Sequence, residues 1–112
     1  MTIDYSQMIT PEQKQEQALV ALTGTFEQAI QSHLDSAARS RGYDSIATSV
    51  SYAEEPVVAK FQEDGKAFRA WRSLVWAYAY QELDKVKAGK REIPTLDAFL
   101  AEVPALPDQG AA

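Results

Sequence analysis

The sequence has no cysteine, only one histidine and no long apolar run. Without cysteine the chain can form neither a disulfide nor a thiolate metal site. A single histidine without a second imidazole makes a poor transition-metal site. No stretch of about 18 apolar residues is present, so no membrane span is predicted. The N-terminal residues also lack the basic and apolar regions of a secretory signal.

Catalytic motifs are also absent from the sequence. It holds no phosphate-binding or dinucleotide glycine pattern and no G-x-S-x-G elbow. The acidic pairs at residues 54–55 and 63–64 are adjacent in sequence, whereas glycoside hydrolysis needs two carboxylates opposed across a cleft. We interpret them as a solvated turn and a helix N-terminus. His33 falls on an apolar helical stripe and is interpreted as a core or boundary histidine. These observations predict no enzyme, no cofactor and no metal site.

Charge is distributed unevenly along the 112 residues, which carry a net charge of −5. Residues 1–35 are acidic apart from Lys14, residues 61–91 are mildly basic, and residues 92–112 are acidic again. One interpretation is that acidic outer helices pair with a basic central helix. The other is a nucleic-acid patch, but the acidic total and the interspersed acids argue against it. We therefore predict no nucleic-acid partner.

Capping signals and apolar periodicity predict two long helices. The first covers about residues 11–39, because Thr10, Pro11 and Gln13 form a capping box with proline at the first helical position. Gly24 inside it predicts a kink or a close helix approach. The second covers about residues 62–88 and ends at Gly89. The apolar stripe of the first helix consists of Leu19, Leu22, Phe26, Ile30, His33 and Ala37.

Two short helices complete the prediction. Gly42 ends the first long helix, and Asp44 caps a helix over about residues 45–52. Residues 53–56 form a turn, and residues 57–61 are interpreted as one helical turn that leads into the central helix. Thr95 caps a last helix over about residues 96–103. The predicted fold is all-α, a single small helical domain with two long antiparallel helices plus two or three short helices.

The domain boundaries follow from the same pattern. Residues 1–9 are predicted to form an N-terminal arm, residues 10–106 the helical domain, and residues 107–112 a disordered tail. Phe26 and Phe68 each lie in the middle of an apolar stripe on one long helix. We therefore expect their side chains to meet in the core.

Residues 67–83 contain both tryptophans and two of the five tyrosines. One interpretation is that all these aromatic side chains are core, because large aromatics dominate small cores. The alternative is that one face is a protein interface, where Trp, Tyr and Arg concentrate. The apolar side chains surround the helix, and short partner helices cannot cover all of them. The predicted interface residues are Arg69, Trp71, Arg72, Trp76 and Tyr80.

Four stretches together resemble a small helical domain family of tailed phages and prophages: IDYSQMIT, ARSRGYDSIATSVSY, FQEDGKAFRAWRSLVWAYAYQEL and AGKREIPTLDAFLAEVP. The family occurs as free-standing proteins and at the C-terminus of tail-fibre or tail-fibre-assembly proteins. The resemblance spans about residues 3–106, and the RGYDSI and AFRAWRSLVWAYAY segments are its most specific parts. The family has no assigned activity, so the resemblance transfers no catalytic or binding residue.

The resemblance implies a non-enzymatic phage tail or tail-fibre-associated protein, located in the virion or the host cytoplasm. It would act as a structural subunit or an assembly factor through protein–protein contacts. Its partner would be a phage tail or tail-fibre protein, or a second copy of itself, with no membrane involved. The alternative is a small phage-encoded inhibitor of a host protein, because compact acidic proteins can block host enzymes by charge mimicry.

Overall fold

A computed structural model describes residues 10–106, which form four helices and no strand. Helix α1 is Pro11–Ser40, α2 is Ile46–Ser51, α3 is Ala59–Lys87 and α4 is Leu96–Glu102. The predicted all-α domain with two long helices is confirmed. The predicted arm at residues 1–9 and the predicted tail at residues 107–112 lie outside the described residues. No helix in residues 10–106 combines the length and the apolar character that crossing a bilayer needs.

Local side-chain chemistry sets the helix starts. The Thr10 hydroxyl accepts from the Gln13 backbone N–H at 3.1 Å, and the Gln13 side chain accepts from the Thr10 N–H at 3.2 Å. This is the predicted capping box. The Thr95 hydroxyl caps α4 by accepting from the Ala98 backbone N–H at 3.1 Å. The cap of α2 is Ser45, and the prediction of Asp44 is wrong because the helix begins one residue later than Asp44 requires.

Glycine in a left-handed conformation follows both long helices. Gly42 has φ of +93° and Gly89 has φ of +74°. Glycine adopts such positive values at little energetic cost because it has no Cβ. Beyond Gly42, the Tyr43 N–H donates to the Ala38 carbonyl at 3.0 Å, which satisfies an orphan carbonyl of the last turn. The predicted ends of both long helices are therefore correct to within one residue.

Helix α3 begins three residues earlier than the sequence predicts. Val58 is its extended N-cap, with φ of −118°, and Ala59 is the first helical residue. The interpretation of residues 57–61 as a helical turn therefore holds only from Ala59 onward. The earlier start places the acidic pair at residues 63–64 in the second turn, beyond the N-terminal groups that favour negative charge.

Helices α1 and α3 run antiparallel. His33 of α1 lies against Trp71 of α3, with ring centroids 5.8 Å apart. Lys87 at the end of α3 lines the same groove as Gly24, closer to the start of α1. Helix α4 packs on α1 through Phe99, and α2 packs against both long helices.

The antiparallel register separates the two phenylalanines that were expected to meet. The Phe26 ring contacts the Phe99 ring edge-on at 5.0 Å, whereas Phe68 lies against Tyr43 and Trp71 at 6.1 and 6.2 Å. Both side chains are buried in one core. They occupy opposite ends of it, so the expected direct contact is wrong.

Gly65 allows α3 to approach the end of α2. A Cβ at this position would lie 2.4 Å from the Ala53 backbone nitrogen and 2.7 Å from the Tyr52 carbonyl carbon. No side chain fits in that space, so only glycine permits this spacing. Gly24 differs, because a Cβ there would meet nothing within 4 Å. The close helix approach predicted at Gly24 is wrong within residues 10–106, and α1 runs past it as one helix.

Candidate protein interface

Trp71 is a core residue and not a surface residue. Its side chain is 2% exposed, and its indole Nε1 donates to the Pro104 carbonyl at 2.7 Å. The hydrogen bond and the contacts with His33 and Phe68 join α1, α3 and the segment after α4. The inclusion of Trp71 in the predicted surface is therefore wrong, because the segment that follows α4 covers its indole.

Trp76 and Tyr80 form a stacked pair at the surface of α3. Their ring centroids are 5.4 Å apart and the ring planes differ by 26°. Trp76 is half-buried and packs on the core, whereas Tyr80 is 50% exposed. The two residues are one helical turn apart, so they lie on the same side of the helix. The pair presents an ordered aromatic surface whose inner ring is anchored in the core.

Two arginines extend this surface towards the start of α3. Arg69, Arg72, Trp76 and Tyr80 recur at steps of three and four residues, which places them along one side of the helix. Arg69 is 3.8 Å from the Glu54 carboxylate, an exposed pair of small energetic value. Arg72 is half-buried and makes no ion pair within residues 10–106. We call these four residues the α3 surface.

A buried carboxylate, which the sequence pattern placed at a helix N-terminus, lies in the second turn of α3. Asp64 is 6% exposed and accepts from the Tyr43 hydroxyl at 2.9 Å and from the Lys60 ammonium at 3.2 Å. The Arg41 guanidinium is 3.9 Å away. Burial, followed by the hydrogen bond to Asp64, raises the pKa of Tyr43 to about 12. This network holds the turn after α1 against α3 and is structural.

A second network ties α4 to the end of α3. The Arg91 guanidinium donates to Glu82 at 2.8 Å and to both oxygens of Glu102 at 2.7 and 2.6 Å. The Tyr78 hydroxyl also donates to Glu102, and this hydrogen bond is the main cause that lowers the pKa of the Glu102 carboxyl. Lys85 is the main cause of the lowered pKa of Glu82. Bidentate geometry fixes the position of Arg91.

The ion pairs do not follow the predicted pairing between α1 and α3. Within residues 10–106, the cations of α3 pair with acids of α3 itself or of the turn before it, and no α1 carboxylate takes part. Asp35 instead accepts from the Ile46 N–H at 3.0 Å and so helps to start α2. The predicted pairing of acidic outer helices with the basic segment is therefore wrong for α1, but Arg91 of that segment does pair with Glu102 of α4. Of the acids of α1, Glu12 and Glu16 are exposed and Glu27 and Asp35 are half-buried.

The described residues bring no metal-binding cluster together. Within residues 10–106, no group of three or more His, Cys, Asp or Glu side chains could hold a metal ion. His33 is half-buried beside Trp71, as a boundary residue. The α3 surface suits recognition of another protein, because its rigid aromatic pair supplies contact area and its arginine supplies directional hydrogen bonds.

The sequence pattern predicted neither the close approach at Gly65 nor the Asp64 network, and only Gly65 carries a local signal in the sequence. Gly65 inside a predicted helix interior is a signal for a close backbone approach, since glycine there costs helix stability. The Asp64 network has no such signal, because its partner Tyr43 is distant in the sequence.

In comparisons with known proteins, no family model matches the chain, and neither a curated protein nor a solved structure is similar to it.

Proposed function

We propose that this protein is a non-enzymatic phage tail or tail-fibre-associated protein that acts through protein–protein contacts. The observation that supports it is the stacked Trp76–Tyr80 pair on the α3 surface, next to Arg72. Aromatic and arginine side chains contribute most of the binding energy in protein interfaces. The phage context comes from the resemblance of residues 3–106 to a domain family of tailed phages.

A stacked aromatic pair is well suited to be the centre of an interface. Trp76 packs on the core, so its ring loses little conformational freedom when a partner covers it. Tyr80 offers its exposed ring and hydroxyl to the partner. Arg72 can direct its guanidinium to a carboxylate or carbonyl of the partner, because no acid of residues 10–106 forms an ion pair with it.

The experiment measures binding of the full chain to each tail and tail-fibre protein encoded beside it. We expect one of them to bind, and Tyr80→Ala to weaken that binding by tenfold or more, since removal of a central aromatic costs about 2 kcal/mol or more. Leu74→Ala is the matched control, because Leu74 is an apolar side chain of α3 that is 57% exposed outside the α3 surface. Equal losses for both variants, or no tail partner at all, would contradict the proposal.

A second function, inhibition of a host protein, has its own supporting observation. Glu12 and Glu16 of α1 are exposed and make no ion pair within residues 10–106. Exposed carboxylates of this kind are what charge mimicry requires. Affinity capture with the purified protein as bait distinguishes the two functions. A host enzyme that binds stoichiometrically and loses activity would favour inhibition, whereas a phage tail protein would favour the tail role.

A further inference from the structure

A mostly apolar groove of about 480 Å³ runs along α1 and is also lined by Lys87 at the end of α3. Leu19, Val20 and Gly24 line its middle. Val20 is 68% exposed, although it is one of the larger apolar side chains of α1. The groove is separate from the stacked aromatic pair, so its role is independent of the proposed function.

Gly24 is unexplained by the packing of the chain itself. Glycine in the interior of a helix costs about 0.5–1 kcal/mol relative to alanine. Such a cost is usually offset by a close approach of backbone or ligand, as it is at Gly65. A Cβ at Gly24 would meet nothing within 4 Å. Gly24 therefore leaves an open space in the groove that another molecule can enter.

Carboxylates stand at both ends of the groove. Glu16 and Glu27 line it together with Lys87, and neither carboxylate makes an ion pair within residues 10–106. The two glutamates are eleven residues apart in the sequence, which corresponds to about 16 Å, or about three turns of helix. An apolar middle with acids at each end is complementary to an amphipathic helix that carries basic residues at each end.

A second copy of the chain fits this groove poorly. If two copies met through it in a parallel arrangement, each carboxylate would face its own equivalent. In an antiparallel arrangement centred on the groove, Glu16 would face Glu27 of the other copy. Like charges in direct apposition are destabilising in either case. The charge pattern therefore favours a different chain, one that presents basic residues at the same spacing.

We propose that the α1 groove binds an amphipathic helix of another protein. Apolar side chains of that helix lie over Val20 and Gly24, and Lys or Arg side chains about three turns apart contact Glu16 and Glu27. The absence of a side chain at Gly24 lets the two backbones approach closely. The groove thus recognises its partner by shape in the middle and by charge at the ends.

Nuclear magnetic resonance titration of the isotope-labelled full chain tests this proposal. The probe is a synthetic peptide of leucine and lysine arranged at helical spacing, about five turns long. The control probe replaces every lysine with glutamate. We expect amide shifts confined to residues 16–27 and the neighbourhood of Lys87, with at least tenfold weaker binding of the glutamate peptide. Shifts elsewhere, equal binding of both peptides, or no binding would overturn the proposal.

Variants separate the shape of the groove from general electrostatic attraction. Val20→Gln and Gly24→Gln leave the net charge unchanged, and each should weaken binding of the leucine–lysine peptide by fivefold or more. The double variant Glu16→Gln/Glu27→Gln should weaken that binding by tenfold. The matched control is Glu12→Gln/Glu63→Gln, which removes two exposed acids outside the groove. An equal loss in the control, or a self-association that Val20→Gln abolishes, would overturn the assignment of a foreign basic helix.

Discussion

The two halves of α1 belong to one continuous helix but have different surroundings. Residues 26–40 bury Phe26, Ile30, Leu34 and Ala38 against the other three helices. Residues 11–25 contain no buried side chain, although Leu19, Val20 and Leu22 lie among them. The helical pattern therefore continues beyond the part of the helix that the domain covers. Apolar periodicity predicts a helix, but the packing of the whole chain decides which of its turns are buried.

Among substitutions that test the difference between the two halves of α1, Phe26→Ala should have the largest effect on stability. We expect it to lower the free energy of unfolding by about 3–5 kcal/mol, because it leaves a cavity beside Phe99. Val20→Ala, six residues earlier on the same helix, should change it by less than about 0.5 kcal/mol. Denaturant unfolding followed by circular dichroism measures both values. A loss of more than about 1 kcal/mol for Val20→Ala would indicate that residues 11–25 are covered within the chain.

Gly65→Ala should destabilise the covered part of the molecule by about 3 kcal/mol. Its Cβ would overlap the backbone of Ala53, which cannot move without displacing α2. Scanning calorimetry should record a lower melting temperature with the transition still cooperative. An unchanged melting temperature would mean that α2 is not held at this distance from α3.

Tyr43→Phe removes the hydrogen bond to buried Asp64 and should cost about 1.5–3 kcal/mol near neutral pH, since the acceptor is charged. The pKa of Tyr43 is raised from 10.0 to about 12 in the folded protein. Folding therefore gains stability from the protonated hydroxyl below pH 10, and loses it as the pH rises towards 12.

Between pH 10.0 and about 12, the free energy of unfolding of the wild type should fall relative to that of Tyr43→Phe. The fall should be up to about 1.4 kcal/mol per pH unit. Urea unfolding of both proteins at neutral and alkaline pH measures the difference, and the comparison cancels the titration of the other tyrosines. A difference between the two proteins that stays constant with pH would contradict the raised pKa that burial and the hydrogen bond to Asp64 give to Tyr43.

Gly24→Ala should give the smallest effect, and one of opposite sign. Because a Cβ at Gly24 meets no atom within 4 Å, we expect a gain of about 0.5–1 kcal/mol from helix propensity alone. The same substitution at Gly65 is destabilising, so the two glycines serve as controls for each other. Thermal unfolding by circular dichroism distinguishes the signs. A loss of stability at Gly24 would show a contact that limits its space.

The parts of the fold that depend on neighbouring residues were predictable from the sequence. Thr10 with Gln13, Thr95, Gly42 and Gly89 mark helix ends through bonds within a few residues of themselves. The all-α class follows from them and from the apolar periodicity.

The residues whose environment depends on distant parts of the chain were not predictable. Asp64 was placed at a helix N-terminus, and its burial could not be predicted because its partner Tyr43 lies 21 residues away. Trp71 was predicted to lie at the surface. Its burial could not be predicted, because its indole bonds to the carbonyl of Pro104, 33 residues later. Trp76 and Tyr80 do share one side of α3, as helical spacing predicted. Whether that side binds a partner stays a prediction.

The contrasting positions of the two tryptophans provide built-in optical probes. Trp71 is buried and bonded to the Pro104 carbonyl, whereas Trp76 lies at the surface against Tyr80. Since the chain holds only these two indoles, replacement of either one by phenylalanine leaves a single emitter. Fluorescence from Trp71 would then follow the docking of the segment after α4, and fluorescence from Trp76 would follow the arrival of a partner. Two single-tryptophan variants can thus follow the folding of the chain and its recognition of a partner separately.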